Sequence, residues 1–306
     1  MTYDLVGLGN PVYDLIHTPK TKTSERILSG CSTNACLAAK RLGMKDVVIV
    51  GNVGLDFAQR FLREIEQYKI KAINASMPER TTGFSLRYDD RGDRTLKVIA
   101  DAGKIPLKEV WQKIGDTRYL LLGPVLCEID MGEIAELASN VRGEIFLDPQ
   151  GLLRRVSSNG EVEHFCDREK FKKVVAAVDF VKPNELEARI ITGSEDHVES
   201  AKQLVEWGAR IAVVTLGEKG SIACDQEVCV RIPAYKTMAV DPTGAGDVYG
   251  GAFLAEYSRN NDLGSACLYA SAAASVMVES VGPDFPVTDE LVRRRAAVIE
   301  SGLEIL

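Results

Sequence analysis

The chain has 306 residues, of which 45% are hydrophobic and 26% charged, and its formal net charge is −7. Length and apolar content allow two ordinary domains or one large α/β domain with a substantial core. The acidic balance argues against a nucleic-acid surface or an anionic membrane as the main partner.

Residues 4–9 (DLVGLG) form a continuous apolar run ended by glycine, the pattern of a parallel strand buried on both faces. Asn10 and Asp14 follow at its carboxyl end, where open α/β sheets bind ligands, so both are candidates for holding substrate hydroxyls. Asp14 fits a solvated strand residue equally well. Residues 12–16 and 25–28 read as short strands, and SGCSTNA at 29–35 leads into a helix ending near Leu42. Residues 47–53 (VVIVGNV) are another buried strand, followed by an amphipathic helix to about Tyr68. Phe84, Leu86 and Tyr88 alternate with polar residues before the turn DDRGD at 89–93 and a second run at 96–100, which predicts a hairpin with one apolar face. Lys104 beyond it reads either as a solvated loop lysine or as a contact for an anionic substrate.

From 118 to 215 strands and helices alternate, which predicts a parallel sheet with helices on both faces. In DPQG at 148–151, just past a strand, Gln150 is a candidate contact with Arg154 after it, although a plain Pro–Gly turn reads the same. Asn184 and Glu187 have the spacing of a capping box at a helix start. TLGEKG at 215–220 is at least a tight turn. Residues 236–240 predict a short strand and 248–257 a helix. Between them Gly244, Ala245, Gly246 and Asp247 make a small-residue turn whose free N–H groups and helix dipole favour an anion. Asp247 there is either a helix cap or a base beside a phosphate-binding turn.

Seven cysteines without a C-x-x-C pair indicate neither a disulfide framework nor a zinc ribbon; Cys36, Cys127, Cys224 and Cys267 read as small buried side chains. The three histidines lack ligand spacing, no apolar run reaches membrane-spanning length, and a cytoplasmic, reducing compartment is expected. No G-x-x-x-x-G-K-[ST] occurs, and the glycines after the first strand lead into a strand instead of a helix, so P-loop and dinucleotide fingerprints both fail.

The run VDPTGAGDVYGGAF at 240–253 resembles the signature of the ribokinase-like (PfkB) carbohydrate kinase family, with Thr243 through Asp247 matching and Pro242 departing. GNPVYD around Asn10 and Asp14, Gly30 with Asn34, N-x-x-E at 184–187 and T-x-G-x-x-G at 215–220 follow in the family's order, while Ser29 and the DAGK segment at 101–104 depart from it. The resemblance implies a three-layer α/β/α ribokinase-like fold with a mostly parallel central sheet, one domain over 1–306. It also implies a small β-sheet lid from about 11–31 and 80–103 that excludes water and often doubles as a homodimer surface.

The implied activity is ATP-dependent transfer of the γ-phosphate to an alcohol group of a sugar or related polyol. Asp247 would be the base, with Gly244, Ala245 and Gly246 shaping an anion hole. Asn10, Asp14, Gly30 and Asn34 would surround a small-molecule alcohol, joined by Gln150 through likeness to inositol-kinase-like members, and by Lys104 if the acceptor is anionic. Asn184, Thr215, Gly217, Gly220 and Gly246 would lie along the nucleotide. Glu187 would hold Mg2+ through water, and Asp241 would belong to a loop binding a monovalent cation, K+. The family's acceptors extend to nucleosides, inositol and anionic alcohols such as phosphorylated mevalonate. A non-catalytic nucleotide-binding regulator is the alternative from another class.

Overall fold

Alternating burial organises the central sheet. In β1 (Tyr3–Leu8), Leu5 joins the apolar cluster on one face while Val6 and Leu8 join the cluster on the other. The neighbouring strand at Val47–Gly51 repeats the pattern, with Val47 and Ile49 on the first face and Val48 and Val50 on the second. Where both sides are covered, as at 5–8 and 47–51, no polar side chain interrupts the strand, which is why these stretches read as unbroken runs.

A computed structural model describes residues 2–88, 94–114 and 116–306, so the 89–93 turn expected in the lid hairpin lies outside the described residues. After β1 the strands are β2 (Val12–His17), β3 (Ile27–Ser29), β4 (Val47–Gly51), β5 (Lys71–Asn74), β6 (Gly83–Tyr88), β7 (Arg94–Ala100) and β8 (Thr117–Leu122). There follow β9 (Glu144–Leu147), β10 (Arg154–Val156), β11 (Val162–His164), β12 (Phe180–Val181), β13 (Ile211–Thr215), β14 (Ser221–Cys224), β15 (Cys229–Ile232) and β16 (Glu304–Ile305). The α-helices are α1 (Cys31–Arg41), α2 (Ala58–Gln67), α3 (Leu107–Ile114), α4 (Met131–Asn140), α5 (Arg168–Val175), α6 (Glu185–Thr192), α7 (His197–Glu206), α8 (Ala245–Asn260), α9 (Leu263–Met277) and α10 (Asp289–Ile299).

Among the described residues, ten strands form the main sheet in the order β16-β15-β14-β13-β12-β9-β8-β1-β4-β5. Pairing is parallel from β5 to β13 and antiparallel for β14, β15 and β16. Helices α1, α8 and α9 pack on one face and α3 to α7 on the other, the expected three layers. Strand order reverses at β1: β4 and β5 lie on one side, β8, β9, β12 and β13 on the other. The crevice at the carboxyl ends of the strands therefore opens there, where such sheets bind ligands.

A separate sheet, β3-β2-β6-β7, projects from that end. Its inner face places Val12, Ile16, Phe84, Leu86 and Leu96 against Cys31, Val125 and Leu126. The lid is tied to the loop before α8: Thr18 Oγ1 donates to Val240 O, Lys20 Nζ to Ala239 O, and Tyr88 Oη and Thr243 Oγ1 are hydrogen-bonded at 2.9 Å.

Two expectations are corrected. Residues 236–240 are not a strand; at their end the Val240 and Asp241 N–H groups donate to Val278 O beyond α9 instead of to a neighbouring strand. Cys224 is buried but not free: the β14–β15 register sets it opposite Cys229 and the two form a disulfide. A pairing five residues apart carries no compositional signal of a disulfide framework, and it withdraws the support that cysteine usage lent to a reducing compartment. Among the described residues no helix is long and apolar enough to cross a membrane.

Candidate active site

Glycines bring α8 into place. Gly244 caps the helix at φ 82°, and a side chain there would meet Asn34 Nδ2 at 2.7 Å. Gly251 packs so tightly on α1 that an added Cβ would lie 2.1 Å from Ala35 O. These close approaches set the first turn of α8 against the first turn of α1, so Asp247 meets Asn34.

Asn34 Nδ2 donates to Asp247 Oδ2 at 3.0 Å, and Gln150 Nε2 donates to Asp247 Oδ1 at 3.1 Å. Burial and the nearby Asp148 carboxylate push Asp247 above the usual carboxylate range, opposed by Asn34, the Lys182 ammonium and the Cys31 thiol. Cys31 Sγ and one oxygen each of Asp148 and Asp247 lie within 4.8 Å of one another. Asp148 is already matched, because Lys182 Nζ sits 2.8 Å from its Oδ2 with both side chains 4% exposed. Burial alone would pull Lys182 down, but Asp148 holds its ammonium charged. A cation at this trio would have to compete with that ammonium, so the trio is a poor metal cage.

Lys182 also reaches the helix start: a Cβ on Gly246 would be 3.4 Å from its Nζ. The first turn of α8 thus combines free backbone donors with a fixed positive charge. Of the expected amides, that of Ala245 is directed at Pro242 O at 3.3 Å, leaving Gly246 and Asp247 at the turn.

Asp14 is 3% exposed, accepts from Phe84 N at 2.8 Å, and is pushed up to about 7 by burial, with Arg26, Ser29 and Arg154 opposing. Gly30 caps α1 at φ 113°. Asn10 is used internally: its Nδ2 donates to Gly103 O and its Oδ1 accepts from Asn52 N. Lys104 is 62% exposed, 3.9 Å from Asp130, and is not gathered with the others.

On the nucleotide side, Asn184 caps α6 in a complete capping box with Glu187 and bridges to Thr215. Glu187 is 4% exposed and pushed up to about 7 by burial and Asp148. Gly217, at φ 58°, has open space where a side chain would point, whereas Gly220, at φ 91°, is pressed against Ile232 O. Asp241 is fully buried; Thr243 N donates to its Oδ1, while its Oδ2 has no protein partner.

Sequence reasoning missed Lys182, Cys31 and Glu128. Glu128 is 2% exposed and accepts from the backbone N–H groups of Asn10, Val125 and Leu126, pinning the crevice floor. Lys182 had one legible sign, a lysine directly after a buried strand and before Pro-Asn; the other two had none.

Residues 5–290 match the model of the pfkB family of carbohydrate kinases. The chain is 28% identical over 270 residues to a cytidine kinase of Thermococcus kodakarensis, covering 85% of this chain and 90% of that one. A pyrophosphate-dependent kinase in the ribokinase family, solved with sulfate, superposes with a TM-score of 0.81 at 21% identity, over 94% of this chain and 99% of that one. A putative ribokinase II from E. coli, solved in complex with ATP and Mg2+, superposes with a TM-score of 0.78 at 18% identity, over 97% and 100%. The mostly parallel sheet with its helix layers is the ribokinase-like fold, and the chain belongs to the pfkB family of carbohydrate kinases, phosphotransferases with an alcohol group as acceptor.

Proposed function

We propose that the chain transfers the γ-phosphate of ATP to a hydroxyl of a neutral sugar, nucleoside or polyol, with Asp247 as general base. The observation that carries this reading is the Asp247 carboxylate at the first turn of α8, held by two side-chain amides beside Gly246 and Lys182. Asp247 takes the acceptor's proton as its oxygen attacks. The Gly246 and Asp247 amides and the Lys182 ammonium stabilise charge growing on the transferred group. Asp14 and Gln150 orient neighbouring hydroxyls, and the apolar inner face of the lid keeps water from competing. Asn184, Thr215, Gly217 and Gly220 line the nucleotide side.

ATP and Mg2+ fit the kinase family. The buried Glu187 carboxyl, whose Oε2 accepts from Asn184 N, suits a magnesium ion held through water, which would neutralise phosphate charge when bound. The partnerless buried Oδ2 of Asp241 suits a monovalent cation such as K+.

A neutral acceptor is favoured over an anionic one because Lys104 is exposed beside Asp130, and Arg154 is committed to Gln150 and Val125 O. A coupled ADP-release screen with Mg-ATP tests this, using ribose, cytidine and myo-inositol against fructose 6-phosphate and phosphorylated mevalonate. Turnover with a neutral member is expected; turnover confined to the anionic members overturns it.

A further inference from the structure

Asp247 is gripped from two sides, and the two grips differ. Asn34 stands on α1, one turn from the helix start that packs on α8. Gln150 stands in a short turn (Gln150–Leu153) after β9 and is itself held: Arg154 Nη2 donates to Gln150 Oε1 at 2.7 Å. The second arm of that guanidinium, Nη1, donates to Val125 O at 2.7 Å. The peptide nitrogen of Val125 is fixed in turn by the buried Glu128 carboxylate.

An unassisted carboxamide can present either its oxygen or its NH2 group to a neighbour. A guanidinium has donors only, so the Gln150 atom facing Arg154 must be the oxygen, and the NH2 group is then obliged to face Asp247. With the amide reversed, an oxygen would oppose the Asp247 carboxylate.

We infer that Arg154 is a positioning residue for the proposed base: through Gln150 it sets the orientation of the Asp247 carboxylate. Arg154 is 4% exposed, so its neighbours restrict the motion of the fork. The inference rests on the reading of Asp247 as base. The groups facing Asp247 are Cys31 and Asn34 from α1, Asp148 after β9, Gln150 from its turn and Lys182 after β12. Of these, Gln150 is the one whose hydrogen bond to Arg154 is seen, Nη2 donating to its Oε1.

The test needs no acceptor. Protein labelled with 13C at aspartate side-chain carboxyls is titrated by NMR, and the Asp247 resonance is identified by its loss in Asp247→Asn. Gln150→Met is expected to raise the proton affinity of Asp247 about tenfold, because a donor to the charged form is lost. Arg154→Lys can keep one of the two hydrogen bonds but not the fork. It should raise that affinity about threefold when Gln150 is present and cause no further change in the Gln150→Met background, the non-additivity of residues acting in series.

Equal shifts from Arg154→Lys in both backgrounds, or none in either, overturn the inference. Should Arg154→Lys fail to fold, the unsubstituted protein decides: the Gln150 side-chain amide signals must move with the Asp247 titration, and stationary signals overturn the inference. Failure of the base reading is separate, since it would appear as acceptor turnover retained in Asp247→Asn while this coupling persists.

Discussion

Lys182 and Asp148 are the most exposed to damage by a single substitution. Their ion pair is 2.8 Å long and nearly inaccessible, so each neutralises a charge the interior could not otherwise hold. Lys182→Met leaves Asp148 uncompensated beside Asp247 and Glu187, and we expect a loss of about 3–5 kcal/mol in denaturant unfolding. The double variant Lys182→Met with Asp148→Asn should recover most of it, and an additive loss would contradict the pairing argument.

Asp14 supplies a pH dependence with a definite sign. Its acidity in the folded chain is shifted from 3.8 to about 7, chiefly by burial, so the folded state holds the proton more tightly than the unfolded state. Its stabilisation is fully present below pH 3.8 and is lost as pH rises through about 7. The thermal midpoint of Asp14→Asn should therefore fall less between pH 5 and pH 8 than that of the unsubstituted protein. Parallel curves would refute the shift. At this scale the sequence exposes Asp247, Asn34 and Asp14, because motif spacing marks them. Lys182, Cys31 and Glu128 stay hidden because their roles arise from partners distant in sequence, as Glu128 does in meeting Asn10.

At the scale of elements, the α1–α8 contact depends on the absence of one side chain. Gly251→Ala would place a methyl 2.1 Å from Ala35 O, where backbone must move, and we expect about 1–3 kcal/mol of destabilisation. Gly217→Ala is the contrast: its space is open, so only the left-handed backbone at φ 58° is penalised, by about 1–2 kcal/mol. An unchanged thermal midpoint in Gly251→Ala would count against the packing explanation.

Elements with one dominant period are legible in sequence. The 4–9 and 47–53 runs become β1 and β4, and the alternation at Phe84, Leu86 and Tyr88 becomes β6. The β10–β11 hairpin, β5 and β15 are short, their exposure following no simple alternation, and tertiary pairing makes them strands. Residues 236–240 show the reverse: a segment with strand-like composition finds its hydrogen bonds beyond α9 and in the lid.

Over the whole molecule, the strand order reverses at β1, and the lid is hydrogen-bonded through Tyr88, Thr18 and Lys20 to the loop that leads into α8. The proposed base and the first turn of α8 thus stand at that crevice, while three antiparallel pairs and the Cys224–Cys229 bridge finish the far edge of the sheet. Alternating strands and helices make the layers readable from sequence, whereas the antiparallel edge and its disulfide follow from register.

The proposed chemistry turns on deprotonation of the acceptor by Asp247. It is tested most directly by ADP release from Mg-ATP, measured with the unsubstituted protein and with Asp247→Asn on the best acceptor from ribose, cytidine and myo-inositol, alongside calorimetric ATP binding. Asp247→Asn should lose about 10²–10⁴ in acceptor-dependent turnover with ATP affinity essentially unchanged. Equal turnover in the two proteins would contradict it.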